Sequence, residues 1–258
     1  VVNVPASVAY GAGRQVELFG SVRTVTRIDR DLRPIFTTDP TVGGIAPAYP
    51  LVSQGWSGNV MGDTLVGAKL NLLSQGDRRA AAVALRGSVL LPTGDSARGA
   101  SSGMATGYVD LLTSTTTSSG VELAGFAGLA FRPDTLSTTQ SNGLRYGVGA
   151  AYPSTRALRL SAEVTGEVPF GKTVTAFAPF TATDGSLVPA TTKIRQSTTG
   201  TLGATWQSRH GIFIGAGATL NLPTADRTAF RTDDRRKGDF VDYLVRIGYH
   251  GGVRRYVA

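Results

Sequence analysis

Apolar and polar side chains alternate with a period of two along this chain, in segments of about ten residues. Over 121–132 (VELAGFAGLAFR), Val121, Leu123, Gly125, Ala127, Leu129 and Phe131 share one face, while Glu122, Ala124, Phe126, Gly128, Ala130 and Arg132 share the other. In 158–168, Leu158, Leu160, Ala162, Val164 and Val168 oppose Arg159, Ser161, Glu163, Thr165 and Glu167. The pattern returns in 212–222, where Ile212, Ile214, Ala216, Ala218, Leu220 and Leu222 oppose Phe213, Thr219 and Asn221. In the last segment Val241, Tyr243, Val245, Ile247 and Tyr249 oppose Asp242, Leu244, Arg246 and Gly248. Eleven such segments predict strands at 2–10, 15–28, 62–74, 79–92, 104–115, 120–132, 143–152, 157–169, 192–207, 211–223 and 239–250. They are long for soluble strands and match the ~9–11 residues of a tilted membrane-crossing strand.

The links between these strands alternate short and long. Short ones fall at Ala12 and Gly13, at 75–77, at 118–120, at Ser154 and Thr155, and at Arg209 and His210; long ones occupy 29–61, 93–103, 133–142, 170–191 and 224–238. A transmembrane barrel has that asymmetry, with tight periplasmic turns and longer outer loops. By parity the first strand starts on the long-loop side and the last ends on the short-turn side. An even-stranded antiparallel barrel returns to the side where it began. The expectation is therefore an all-β, antiparallel transmembrane β-barrel of about twelve strands, a single unit over 1–258 with one strand unread, most simply before Val1. The alternatives are a strand overlooked in 29–61 or 170–191, or a true start in an outer segment. The stretch 172–180 (KTVTAFAPF) is a candidate hairpin extension beyond the membrane.

Composition narrows the choice. The chain has 33 glycines, against roughly 18 at the average usage of about 7%, and they lie within apolar stretches without a collagen period. Only 41% of residues are hydrophobic, and no apolar run approaches the ~20 residues of a spanning helix. The 26 basic and 18 acidic residues give a net charge of +8. The basic residues are scattered along the strands, which argues against a nucleic-acid site; Arg235, Arg236 and Lys237 alone form a run, directly after Asp233 and Asp234. Cysteine is absent, which excludes disulfides and thiolate metal sites.

Registering the strands by their apolar faces puts Glu17, Arg23, Lys69, Arg86, Asp110, Glu122, Arg132, Arg145, Arg159, Glu163, Glu167, Arg195, Asp242 and Arg246 on the opposite face, eight basic and six acidic groups. On a barrel's lipid face an Arg or Lys costs roughly 2–4 kcal/mol near the midplane. Half of this set facing lipid would cancel the stability of an ordinary domain. The expectation is that they line a wet lumen enclosed by a closed wall, since an open edge in hydrocarbon leaves backbone groups unpaired. Two readings stay open: a ladder of ion pairs that ties strands together and blocks flow, or a conduit with opposed acidic and basic walls. Phe126 and Phe213 face the same interior, as a constriction, an apolar foothold or packing under a loop. Tyr10, Phe131, Tyr146, Tyr152, Trp206 and Tyr249 lie near strand ends and mostly face outward, as a membrane girdle requires. The long link 29–61, with Pro34, Pro40, Pro47, Pro50 and Trp56, suits a lid, a plug or a contact surface.

Three strand ends share a proline-containing pattern on the long-loop side: LLPTGD (90–95), LNLPTAD (220–226) and VPFGK (168–172). Proline has no N–H for the ladder and stops pairing at a rim. None of these is a GxxxxGK[ST] nucleotide loop. The passage 62–95, with Gly62, Asp63, Gly67, Ala68 and Lys69 followed by LPTGD at 91–95, resembles a broad family of Gram-negative outer-membrane barrels. That family includes the phenol-degradation MetA-pathway transporters, and similar barrels form part of some OmpA-type proteins. Residues 4–22 look like a family hairpin preceded by another strand. The resemblance implies passage of small or hydrophobic molecules across the outer membrane and carries over no catalytic residues.

No constellation for catalysis emerges. The two histidines, His210 and His250, lie in a turn and at a strand end, and a hydrolase needs a nucleophile and base in reach. Asp63, Asp95, Asp226, Asp233 and Asp234 have no EF-hand spacing. The sequence predicts no enzyme, metal or cofactor. It predicts a channel or porin for small polar or hydrophobic solutes, surrounded by outer-membrane lipids and lipopolysaccharide. The rival is a structural barrel that anchors protein or peptidoglycan partners, and a soluble β-sandwich is a distant third.

Overall fold

The computed structural model describes residues 2–28, 58–75, 79–96, 100–135, 139–175, 180–181, 187–188, 191–194, 196–222 and 241–250. Eleven long strands form one antiparallel sheet: β1 Val2–Ala12, β2 Val16–Ile28, β4 Thr64–Leu73, β5 Ala82–Leu91, β6 Thr106–Thr116, β7 Glu122–Phe131, β8 Gly143–Tyr152, β9 Leu158–Pro169, β14 Ser197–Gln207, β15 Ile212–Leu222 and β16 Val241–Tyr249. Each pairs with the next in chain order, β1-β2-β4-β5-β6-β7-β8-β9-β14-β15-β16. All eleven predicted strands are present, with one change: the segment predicted as 192–207 is divided into β13 (Thr191–Lys193) and β14.

Local sequence explains the tight hairpin ends. Gly13, Gly120 and Gly211 have φ of 79°, 80° and 93°, a backbone region that glycine enters without a Cβ clash. They sit in the turns β1–β2, β6–β7 and β14–β15. At the other end the elements are less regular. The short strand β3 (Gly58–Val60) pairs with the extension of β2, Thr26 opposite Val60, so β3 and β4 run along β2 as one broken strand. Beyond β9 and β14, β10 (Thr173–Thr175) pairs with β13, and β11 (Phe180–Thr181) pairs with β12 (Leu187–Val188). Within the 172–180 stretch, 173–175 thus continue the β9–β14 hairpin past the sheet, while 176–179 lie outside the described residues.

The PTGD pattern acts as a clasp. The ends of β4 and β5 meet at the long-link side, where the buried Asp63 carboxylate accepts the Gly94 N–H at 3.0 Å. The Thr93 hydroxyl accepts the Thr64 N–H at 2.9 Å. A Cβ on Gly94 would stand 2.8 Å from the Ala100 carbonyl oxygen, so glycine is required for this close approach.

Burial is inverted relative to a water-soluble sheet. On one face Val8, Leu111, Val148, Leu160, Leu202 and Val245 are 52–74% exposed. The buried apolar residues, among those described, are three alanines and one valine: Ala84, Ala100, Ala130 and Val174. The polar face is the sheltered one, and its Asp110 is completely buried. From Val16 to Val22 and throughout β4 to β9 and β14 to β16, the apolar parity contains no Asp, Glu, Lys or Arg.

The expected closure is not met. The sheet ends at β1 and β16, which do not pair with each other. Eleven antiparallel strands leave the first and last running in the same direction, so an antiparallel ladder cannot join them. No helix among the described residues is long and apolar enough to cross a membrane, which says nothing about crossing by strands.

Candidate functional site

The sheltered face is organised by one row of the hydrogen-bond register. Successive cross-strand partners on β2, β4, β5, β6, β7, β8 and β9 are Glu17, Lys69, Arg86, Asp110, Gly128, Arg145 and Glu167. Three bases and three acids thus follow one another across seven strands, interrupted by a single glycine.

Glycine is what allows the row to connect. Lys69 Nζ donates to Glu17 Oε2 at 2.8 Å. Arg86 donates to Asp110 Oδ2 through Nε at 3.0 Å and Nη2 at 2.8 Å. On the far side of Asp110 the register neighbour is Gly128, and a Cβ there would collide with the Asp110 carboxylate. With no side chain at 128, Asp110 lies across β7 and accepts from Arg145 Nη1 at 3.2 Å. One buried carboxylate is therefore shared by two guanidinium groups from strands on either side. Glu167 turns away from Arg145 over Gly143, where a Cβ would be 2.6 Å from its Oε1, and makes a two-armed pair with Arg132 just beyond β7, Nη2 to Oε2 at 2.8 Å. Such fork-to-fork pairs are the strongest and most directional of charge-assisted bonds. Arg159 Nη1 donates to Glu122 Oε2 at 2.9 Å, bridging β9 to β7 over β8.

Aromatic rings complete the cluster. The Arg145 guanidinium lies 4.6 Å from the Tyr108 ring centroid and 5.6 Å from that of Phe126, and Arg86 lies 5.9 Å from Phe126, within cation–π range. Phe126 in turn lies over Gly147, its register partner, and a Cβ at 147 would be 2.9 Å from its Cδ1. Phe213 lies over Gly248 in the same manner, and a Cβ at 248 would be 2.7 Å from its Cε1.

The predicted residues divide accordingly. Nine of the charged residues are brought into ion pairs, Glu17, Lys69, Arg86, Asp110, Glu122, Arg132, Arg145, Arg159 and Glu167, with Asp110 serving two partners. Arg23, Glu163, Asp242 and Arg246 share the same parity but have no ion pair among the described residues. Arg195 lies outside the described residues. Sequence reading missed Tyr108, which touches Arg145, and the role of Gly128; an inward tyrosine and a glycine register with charges only once the strands are aligned. Tyr10, Phe131, Tyr152, Trp206 and Tyr249 are 46–70% exposed on the apolar face, and all but Phe131 stand at the short-turn end. Tyr146 differs: its ring lies over Gly166 and its hydroxyl is 3.0 Å from Thr198 Oγ1.

Among the described residues no group of three or more His, Asp or Glu side chains is arranged to hold a metal ion. No protein-family model matches the chain, and comparison with characterised proteins finds no match.

Proposed function

We propose that this chain forms the wall of an outer-membrane β-barrel that passes small solutes across a mixed-charge lumen. The observation that carries the proposal is the inverted burial: large apolar side chains are exposed along one face of all eleven long strands, while ion pairs occupy the sheltered face. Fully burying a Val, Leu, Ile or Phe side chain is worth about 1.5–3 kcal/mol, so water is the wrong solvent for the apolar face and acyl chains are the right one. The girdle of Tyr10, Tyr152, Trp206 and Tyr249 at one edge places amphipathic rings where a headgroup layer begins. Lipopolysaccharide and outer-membrane lipids are then the surrounding phase. Closure needs one further strand, antiparallel to both β1 and β16, which makes twelve. The likeness of 62–95 to outer-membrane transporter barrels points the same way.

The polar face favours a conduit over a plain scaffold because its charges include members with no ion pair among the described residues, Glu163, Asp242, Arg23 and Arg246, and the first two and Arg246 are exposed, open to water and ions. Current through the purified protein in a planar bilayer is the test: stable ohmic steps are expected, and a folded but silent protein returns the reading to a scaffold that binds protein or peptidoglycan.

A further inference from the structure

The sheltered face holds a cavity of about 350 Å³, in the range of small-molecule sites. Its floor is apolar, made by Ala84, Leu112 and Phe126 with Gly147 beside them; Lys69 and Glu163 also line it. The floor is built by the register: Ala84, Leu112, Phe126 and Gly147 are successive cross-strand partners on β5 to β8, one step along the strands from the charged row.

The charges around this floor are unequal in a specific way. On β2 to β9 the polar face carries five acids: Glu17, Asp110, Glu122, Glu163 and Glu167. Four of them contact a Lys or Arg at hydrogen-bond distance, and Glu163, among the described residues, contacts none. It lies instead at the cavity, with Gly149 opposite it in the register. On the other side, Arg86 and Arg145 share the single carboxylate of Asp110, which leaves one positive charge in excess. Lys69 gives one bond to Glu17, and an ammonium has three donors. The cavity thus has an acceptor wall at Glu163, a donor wall at Lys69 and Asn71, and a greasy floor, with the arginines in the charged row beyond it.

We infer that this cavity is a subsite for a small zwitterion whose ammonium and carboxylate groups are separated by an apolar body. The ammonium pairs with Glu163, the carboxylate with the free donors of the Lys69 wall, and the body lies on Leu112 and Phe126. The solute's ammonium meets a strand acid that has no ion pair among the described residues, and its carboxylate takes donors of Lys69 that Glu17 does not use. The inference rests on the proposal that this face lines an enclosed lumen, and it specifies what that lumen holds.

Calorimetric titration of the whole chain, folded in detergent micelles, with 6-aminohexanoate, hexylamine and hexanoate tests it. The zwitterion is expected to bind at least about tenfold more tightly than hexanoate, one charge-assisted bond being worth that factor. Glu163→Gln, which keeps the side chain's shape, is expected to erase the difference. Asp242→Asn removes another acid of the same face away from the cavity and is expected to leave it intact. Equal binding of all three probes overturns the inference, as does an equal loss in Glu163→Gln and Asp242→Asn, which marks a general charge effect. Bilayer current from the same preparations separates the two readings. Zwitterion binding without current keeps the site and removes the conduit; current without zwitterion preference keeps the conduit and removes the site.

Discussion

Asp110 is fully buried between two guanidinium groups that are themselves only 26–31% exposed. Removing its charge leaves Arg86 and Arg145 facing each other across β6 and β7. Deleting one member of a buried ion pair costs about 3–5 kcal/mol; partial exposure of the arginines screens them, so about 1–3 kcal/mol is expected for Asp110→Asn. Under the proposed conduit, the same variant is expected to shift the reversal potential in a potassium chloride gradient toward chloride, because two bare cations would then border the proposed path. An unchanged reversal potential places these residues away from the permeating ions. Gly128 acts through space rather than charge. Gly128→Ala drives a methyl into the Asp110 carboxylate and is expected to cost about 1–3 kcal/mol as overpacking. Gly87→Ala, where a Cβ would meet nothing within 4 Å, is expected to change stability by no more than about 0.5 kcal/mol. Urea unfolding in lipid vesicles compares the two, and equal effects refute the steric account.

Each strand presents one parity to the sheltered face and the other to the exposed face, so adjacent residues make opposite predictions. Leu202 on β14 is 63% exposed, whereas its neighbour Thr201 bonds Thr219 across the sheltered face at 2.9 Å. In water Leu202→Arg is expected to change stability by no more than about 0.5 kcal/mol. In a bilayer it is expected to cost about 2–4 kcal/mol, and Thr201→Arg far less. Unfolding free energies in vesicles decide this, and a neutral Leu202→Arg there contradicts the lipid-facing assignment. At the rim, Asp63→Ala leaves the Gly94 N–H without its acceptor in a buried clasp. The expected loss is about 1–3 kcal/mol, seen as faster amide exchange at Gly94 and Thr64 with β6 and β7 unaffected.

For the molecule as a whole, the parallel edges β1 and β16 are the decisive feature. An open edge leaves a row of unpaired N–H and C=O groups, which hydrocarbon does not tolerate. In membranes the amides of β1 and β16 are therefore expected to exchange as slowly as those of β6 and β7, and the unheated protein to keep a compact, boiling-sensitive mobility in dodecyl sulfate gels. Rapid exchange at both edges in vesicles would reject closure.

Periodicity alone determined the strands, their faces and their order of short and long links, because a period of two and a hairpin turn are local properties that each segment expresses by itself. It located the polar-face residues by parity for the same reason. Which of those residues meet was decided only by tertiary structure. Register is a relation between strands: it aligned Glu17, Lys69, Arg86, Asp110, Arg145 and Glu167 into one row, set Gly128 opposite Asp110, handed Glu167 to Arg132, and left Glu163 beside an apolar floor with no basic partner among the described residues.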